Sequence, residues 1–182
     1  MQKPNWLLIG GAGVVAFIVF FALGFVGTSR GGMGYILLLL LIVFGVLGSF
    51  IAFNLRNNRS VPMADDAARA AALSPPGPDE ARLIVVREGF VGKMQGMDVT
   101  VDGNVVTQLK SPRFVAIPLS PGKHVVASKG QGMNPETIEI DVQPGTTALV
   151  RIAMNLGSVS VSQEPFDAAI QQRLATIPMV AA

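Results

Sequence analysis

Apolar and polar positions follow two regimes along the chain. From Trp6 to Gly27 run 22 residues without an ionisable side chain, and from Ile36 to Phe53 another 18. A helix rises about 1.5 Å per residue, so about 20 residues cross a hydrocarbon core of roughly 30 Å. The pattern therefore predicts two membrane-spanning helices. Met1-Gln2-Lys3 looks like the basic start of a secretory signal, but the apolar run continues through Phe20, Phe21, Phe25 and Val26. That is longer than a signal core of about 7 to 15 residues, which argues against cleavage. The glycine-rich interval Thr28 to Tyr35 reads as the tip of a helical hairpin, with Trp6 and Tyr35 at opposite interfaces.

From Ala81 onward the period becomes two. Val99 and Val101 alternate with Asp98, Thr100 and Asp102. Ile138, Ile140 and Val142 alternate with Thr137, Glu139 and Asp141, and Ala148, Val150, Ile152 and Met154 alternate with Thr147, Leu149 and Arg151. Val159 and Val161 repeat the pattern against serines. These are half-buried strands. Asp102-Gly103-Asn104 suits a tight hairpin, and Pro121-Gly122 and Pro144-Gly145 suit type II turns. Leu83 to Val86 is apolar on both faces and predicts a central strand. Seven or eight short strands at this spacing predict an antiparallel sandwich.

Between the two regimes, residues 56–80 carry prolines at 75, 76 and 78, which favour extended backbone and close any preceding helix. The alanine-rich piece Ala64 to Leu73 either forms two or three helical turns behind Asp65 and Asp66, or stays a mobile tether. In the tail, Phe166, Ile170 and Leu174 stand four apart, one stripe of a short amphipathic helix that covers a sheet edge or an open face. The expected architecture is thus a membrane α-hairpin of two transmembrane helices (1–55), a Pro/Ala-rich linker (56–80) and an all-β antiparallel sandwich with a short C-terminal helix (81–182).

The run Val99-Thr100-Val101-Asp102-Gly103-Asn104, then Ile117 to Val126, then Val142-Gln143-Pro144-Gly145 resembles the PEGA-like β-sandwich modules of bacterial envelope proteins. With the opening Ala81 to Arg87, the order is still more similar to a related bacterial domain of unknown function common in small lipoproteins. The resemblance covers about residues 81 to 163 and implies a small binding or scaffolding domain without known catalysis. The chain departs from the lipoprotein members in lacking an acylated cysteine. Those relatives commonly face the periplasm.

Charge and composition refine this picture. Lys3, Arg56 and Arg59 flank the outer span ends and Arg30 alone sits at the tip, so the positive-inside bias places both termini in the cytoplasm of a bacterial inner-membrane protein. The spans contain no ionisable group, which argues against a carrier or pump. Small residues instead mark helix-packing positions: Gly10 and Gly13, Gly24 and Gly27, and Gly45, Gly48 and Ser49. They suit packing of the hairpin on itself or docking against another subunit.

Chemistry is sparse. There is no cysteine and one histidine, so a thiol nucleophile and Cys-ligated zinc are excluded, and His124 lacks the second imidazole that a metal site would use. It reads as a surface or hydrogen-bonded strand residue. The acids Asp98, Asp102, Glu139 and Asp141 occupy polar strand and turn positions, the address of a solvated face. Residues 81–182 hold 9 basic and 8 acidic side chains, and no basic stripe for nucleic acid is evident. Met94, Met97 and Met133 lie in two glycine-rich loops that can face each other; thioethers bind Cu(I), but an adaptable apolar contact surface is the commoner use, with burial in the domain's own core as the other alternative.

No cofactor, metal or enzymatic activity is expected. The expectation is a non-catalytic accessory or scaffolding subunit of a larger integral membrane complex, respiratory, photosynthetic or secretory, with membrane lipid and other integral subunits as partners. Phe90, Met94, Met97, Arg113, Phe114 and Met133 are the candidate partner contacts. The alternative is a stand-alone binding or sensor module, or a homo-oligomer.

Overall fold

The computed structural model describes residues 33–155 and 157–182. They fall into two units, one ending at Arg56 and one spanning Asn57–Ala182. In the first, a single helix, α1 (Met33–Leu55), is described. Many of its described apolar side chains, Leu41 and Phe44 among them, are exposed, and near its end the Arg56 guanidinium lies 4.2 Å from the Phe53 ring centroid.

This overturns the expected two-span hairpin. The first arm lies outside the described residues, and Met33, Gly34 and Tyr35, expected in the tip, already belong to α1. No helix among the described residues is long and apolar enough to cross a membrane. The membrane-protein assignment falls with the hairpin, as does the inner-membrane placement with cytoplasmic termini.

The second unit is built on the period-two segments. Its eight strands are β1 (Ala81–Arg87), β2 (Met97–Val101), β3 (Asn104–Leu109), β4 (Arg113–Leu119), β5 (Gly122–Lys129), β6 (Glu136–Val142), β7 (Thr147–Asn155) and β8 (Ser158–Glu164). They form two four-stranded sheets, ordered β4-β1-β7-β8 and β3-β2-β5-β6. Alternation sends Leu83, Val85, Val150 and Ile152 of one sheet against Val99, Leu109, Val126 and Ile140 of the other, all at or near full burial. The expected all-antiparallel sandwich is corrected at one pair: β1 and β7 run parallel, Leu83 beside Ala148 and Val85 beside Val150. That makes β1 a central strand, as its two apolar faces require.

Its second face carries Ile84 and Val86, which with Phe114 and Leu149 form another apolar cluster outside the sandwich. Two short helices cover it. The first, α2 (Asp66–Leu73), is capped by Asp65, whose carboxylate accepts from the Ala68 amide at 2.7 Å. It contributes the buried Ala72. The second, α3 (Ala168–Leu174), is capped in the same way by Asp167, and its stripe of Phe166, Ile170 and Leu174 packs on the cluster. Side-chain oxygens at both caps satisfy amides that the first helical turn leaves unpaired. The C-terminal tail then runs along edge strand β4: Phe114 donates to Pro178 O, Val180 donates to Phe114 O, and Val180 bridges to Met63. This shields an edge that would otherwise offer free backbone groups.

The registers divide the connections between two ends. The turns β2–β3, β4–β5 and β6–β7 share one end; the loops β1–β2, β3–β4, β5–β6 and β7–β8 share the other.

Candidate functional site: the loop end of the sandwich

The loop end is organised by a residue at the close of β1. Period two places Arg87 on the same face as Leu83 and Val85, at the rim of the inter-sheet core, and it is 1% exposed. Its guanidinium touches no carboxylate among the described residues. One nitrogen, Nη1, donates to the carbonyls of Gln95 and of Leu109 (2.7 Å), and Nη2 donates to that of Gly92 (2.7 Å). Burial pushes its pKa down to about 10, so it remains charged at neutral pH. Donating to three carbonyls, it ties the 88–96 loop to the end of β3 and satisfies acceptors that burial would otherwise penalise.

The chain enters the unit at the same place. Asn58 donates to Met94 O at 2.7 Å and accepts from the Gly96 amide at 2.6 Å. Asn57 donates to the Gln131 side chain, and Gln95 Nε2 reaches Gln131 O at 3.4 Å. The two glycine-rich loops bearing Met94 and Met133 therefore face one another across polar side chains. Arg59 donates from its amide to Gln108 Oε1 (2.7 Å) and pairs with Asp98 (2.5 Å), which also accepts from Gln108 Nε2 (2.9 Å). Residues 57–59 are thus laced onto the β unit.

The candidate partner contacts separate on this scaffold. Phe90 is 89% exposed and Met94 70%, both at the tip. Arg113 and Met133 are half-buried. Met97 and Phe114 are fully buried, one in each apolar cluster, and present no surface. Of the candidate helix-packing residues, Gly10, Gly13, Gly24 and Gly27 lie outside the described residues. At Gly45 and Gly48 an added methyl would meet nothing within 4 Å, and Ser49 is exposed.

Beside the tip is an open cleft of about 360 Å³, lined by Lys93, Lys110, Arg113, Asn58, Ser111 and Met94 among others. Among the described residues, none of its three cations has an ion pair or a side-chain hydrogen bond. Ser111 is buried, donating from its hydroxyl to Gly89 O at 2.7 Å and from its amide to Lys93 O at 3.2 Å.

At the opposite end the polar groups pair with one another. His124 Nδ1 lies 2.7 Å from Asp102 Oδ2 and Nε2 lies 2.8 Å from Ser120 O, while Asp102 Oδ1 accepts from the Val125 amide at 2.9 Å. The Asp102 bond raises the His124 pKa, the Ser120 carbonyl adds to it, and the same imidazole lowers the Asp102 pKa. On the outer face, Arg151 grips Glu164 through two bonds (2.5 and 2.8 Å) and also bonds Glu88 (2.7 Å), which in turn pairs with Arg173 of α3. The Glu164 bond holds the Arg151 pKa above its usual value and the Glu164 pKa below its own. This network fastens α3 to the sheet. Among the described residues, no group of three or more His, Asp or Glu side chains is placed to hold a metal ion.

Sequence reading passes over Arg87, the Asn57–Asn58 clasp and the cleft. Arg87 carried a usable signal, since alternation from Leu83 and Val85 points it inward. Of the cleft cations the sequence singled out Arg113 alone, as a candidate partner contact; nothing local links it to Lys93 and Lys110, because Lys93 comes from a separate loop.

No family model matches the chain, and no curated protein matches it. Among solved structures it is similar to the N-terminal domain of AlgF from P. aeruginosa, at 15% identity and a TM-score of 0.34, over 50% of this chain and all of that one.

Proposed function

We propose that the chain is a non-catalytic accessory or scaffolding subunit that docks a protein partner through the loop end of its sandwich. One observation carries the reading: Phe90 and Met94 stand exposed on a loop that Arg87 and Asn58 hold in place. A large aromatic side chain left in water at the tip of an ordered loop is an anchor awaiting a pocket, and such anchors dominate binding energy when buried. Fixing the loop beforehand lowers the ordering cost of association. Methionine beside it adds a surface that adapts to its partner.

The test is a photo-crosslinking side chain placed at Phe90 in the full chain, expressed in its native cells, with Val125 as the control. Val125 is also an exposed apolar residue, but it lies at the opposite end. A discrete adduct to another protein from position 90 and none from 125 supports the reading. Phe90→Ser should then weaken recovery of that partner about tenfold, or roughly 1.4 kcal/mol. An adduct to a second copy of this chain would instead favour the homo-oligomer, and no adduct from position 90 would overturn docking at this end.

A further inference from the structure

We propose that the cleft lined by Lys93, Lys110 and Arg113 is a binding site for a phosphate group, a ligand separate from the partner that Phe90 would anchor. The first argument is where positive charge is left unspent. Elsewhere in the β unit, Arg59, Lys123, Arg151 and Arg173 pair with acids, Arg69 and Arg82 donate to backbone carbonyls, and the exposed Lys129, which does not line the cleft, is a single solvated charge. Among the described residues, the three cleft cations do neither, and no acid lines the cleft.

A fourth charge lies beneath them. Arg87 is buried, bonded only to carbonyls, and its acceptors Gly92 and Leu109 immediately precede Lys93 and Lys110 in the chain. Arg113 is its register partner across the β1–β4 pair. The acid nearest in sequence, Glu88, is held by Arg151 and Arg173. A buried cation without a carboxylate projects its field further than a solvated one, because little water screens it. Converging like charges are unfavourable in the empty site, and an anion relieves that repulsion.

The charge count selects the anion. One carboxylate brings a single negative charge, whereas a phosphate monoester brings about 1.5 to 2 and three strong acceptor oxygens. Arg113 offers a planar fork suited to two of those oxygens, and the lysines act as point charges. The walls are held in advance: Ser111 is tied to Gly89 and Lys93, and Asn58 to Met94 and Gly96.

Two sources supply this chemistry, a phosphate free in solution and the headgroup of a lipid. The experiment titrates the full chain with inorganic pyrophosphate at constant ionic strength. In a second arm it measures co-flotation with phosphatidylcholine vesicles with and without phosphatidic acid. Saturable pyrophosphate binding, weakened at least tenfold in Lys110→Gln/Arg113→Gln and also weakened in Lys93→Gln, establishes a soluble phosphate ligand. Flotation that requires phosphatidic acid and fails in the same variants, without pyrophosphate binding, establishes a headgroup site. Phe90→Ser should leave either signal unchanged, so failure here is distinct from failure of docking. Absence of binding in both arms, or binding retained by the variants, overturns the proposal.

Discussion

The two ends of the sandwich manage charge in opposite ways. At the turn end several polar groups find their complement within the fold: imidazole with carboxylate, carboxylate with amide, Lys123 with Glu139. At the loop end, among the described residues, a buried guanidinium meets only carbonyls, and three cations around an open cleft have no ion pair. The difference separates an end whose charged groups pair with one another from one whose cations face solvent, the basis of the phosphate proposal above.

The largest effect should come from removing the residue that sustains the contrast. Arg87→Met keeps the length and apolar stem but leaves three carbonyls without a donor, each worth about 1–3 kcal/mol when buried. Relief of the desolvated charge offsets part of that. We expect a net loss of about 3 kcal/mol in urea unfolding, with the first proteolytic cuts between Gly89 and Gln95. Arg87→Lys should fall between, since an ammonium lacks the fork. Stability at the wild-type level for Arg87→Met would mean that the loop end is held by something else.

Two glycines sharpen the comparison at a smaller scale. Gly92, at the loop end, has φ of +60°, and a Cβ there would overlap the sulfur of the buried Met154. Gly103, at the turn end, has φ of +83° and open space around it. Gly92→Ala therefore meets strain and a clash, and should cost about 2 kcal/mol. Gly103→Ala meets strain alone and should cost about 1 kcal/mol. Urea midpoints read both. Equal costs would show that Met154 moves aside freely, and the loop end would then be softer than its bonding suggests.

How much of this was legible in the sequence follows the range of the interactions. Strand alternation and the turn residues Asp102-Gly103 are local, and so is the Phe166–Ile170–Leu174 stripe. Each appears where periodicity placed it. The parallel pairing of β1 with β7 joins segments some sixty residues apart and leaves no local mark. Phe114 looked like a loop contact because it follows Ser111-Pro112-Arg113, but the C-terminal tail lies along β4 and encloses it. Residues 57–59 looked like tether because polar side chains rather than apolar ones attach them, and polar attachment has no period. For the same reason the open end of the molecule was visible only in part: Phe90, Met94 and Arg113 could be named, while the convergence of Arg113 with Lys93 and Lys110 could not.

The smallest expected effect tests the turn end, through pH. Protonated His124 donates to Asp102 and to the Ser120 carbonyl, and both bonds hold its pKa above the usual 6.5. The stabilisation from this proton is therefore fully present below about pH 6.5 and is lost as pH rises through the elevated folded value. For Asp102 the order reverses. The His124 bond first, and the Val125 amide second, hold its pKa below 3.8. Its contribution is complete above pH 3.8 and disappears as pH falls through the depressed folded value. Between those limits the pair is an imidazolium and a carboxylate, and its contribution to stability is greatest. Asp102 is largely exposed, so solvent screening keeps the gain below about 1 kcal/mol. Urea unfolding from pH 5 to 8.5 should show a shallow decline above pH 6.5 in the wild type. Asp102→Asn, which keeps an acceptor for the Val125 amide but removes the charge, should flatten that decline. An undiminished slope in the variant would mean that the Ser120 carbonyl alone sustains the proton on His124, and that the turn end owes less to charge pairing than the contrast with the loop end requires.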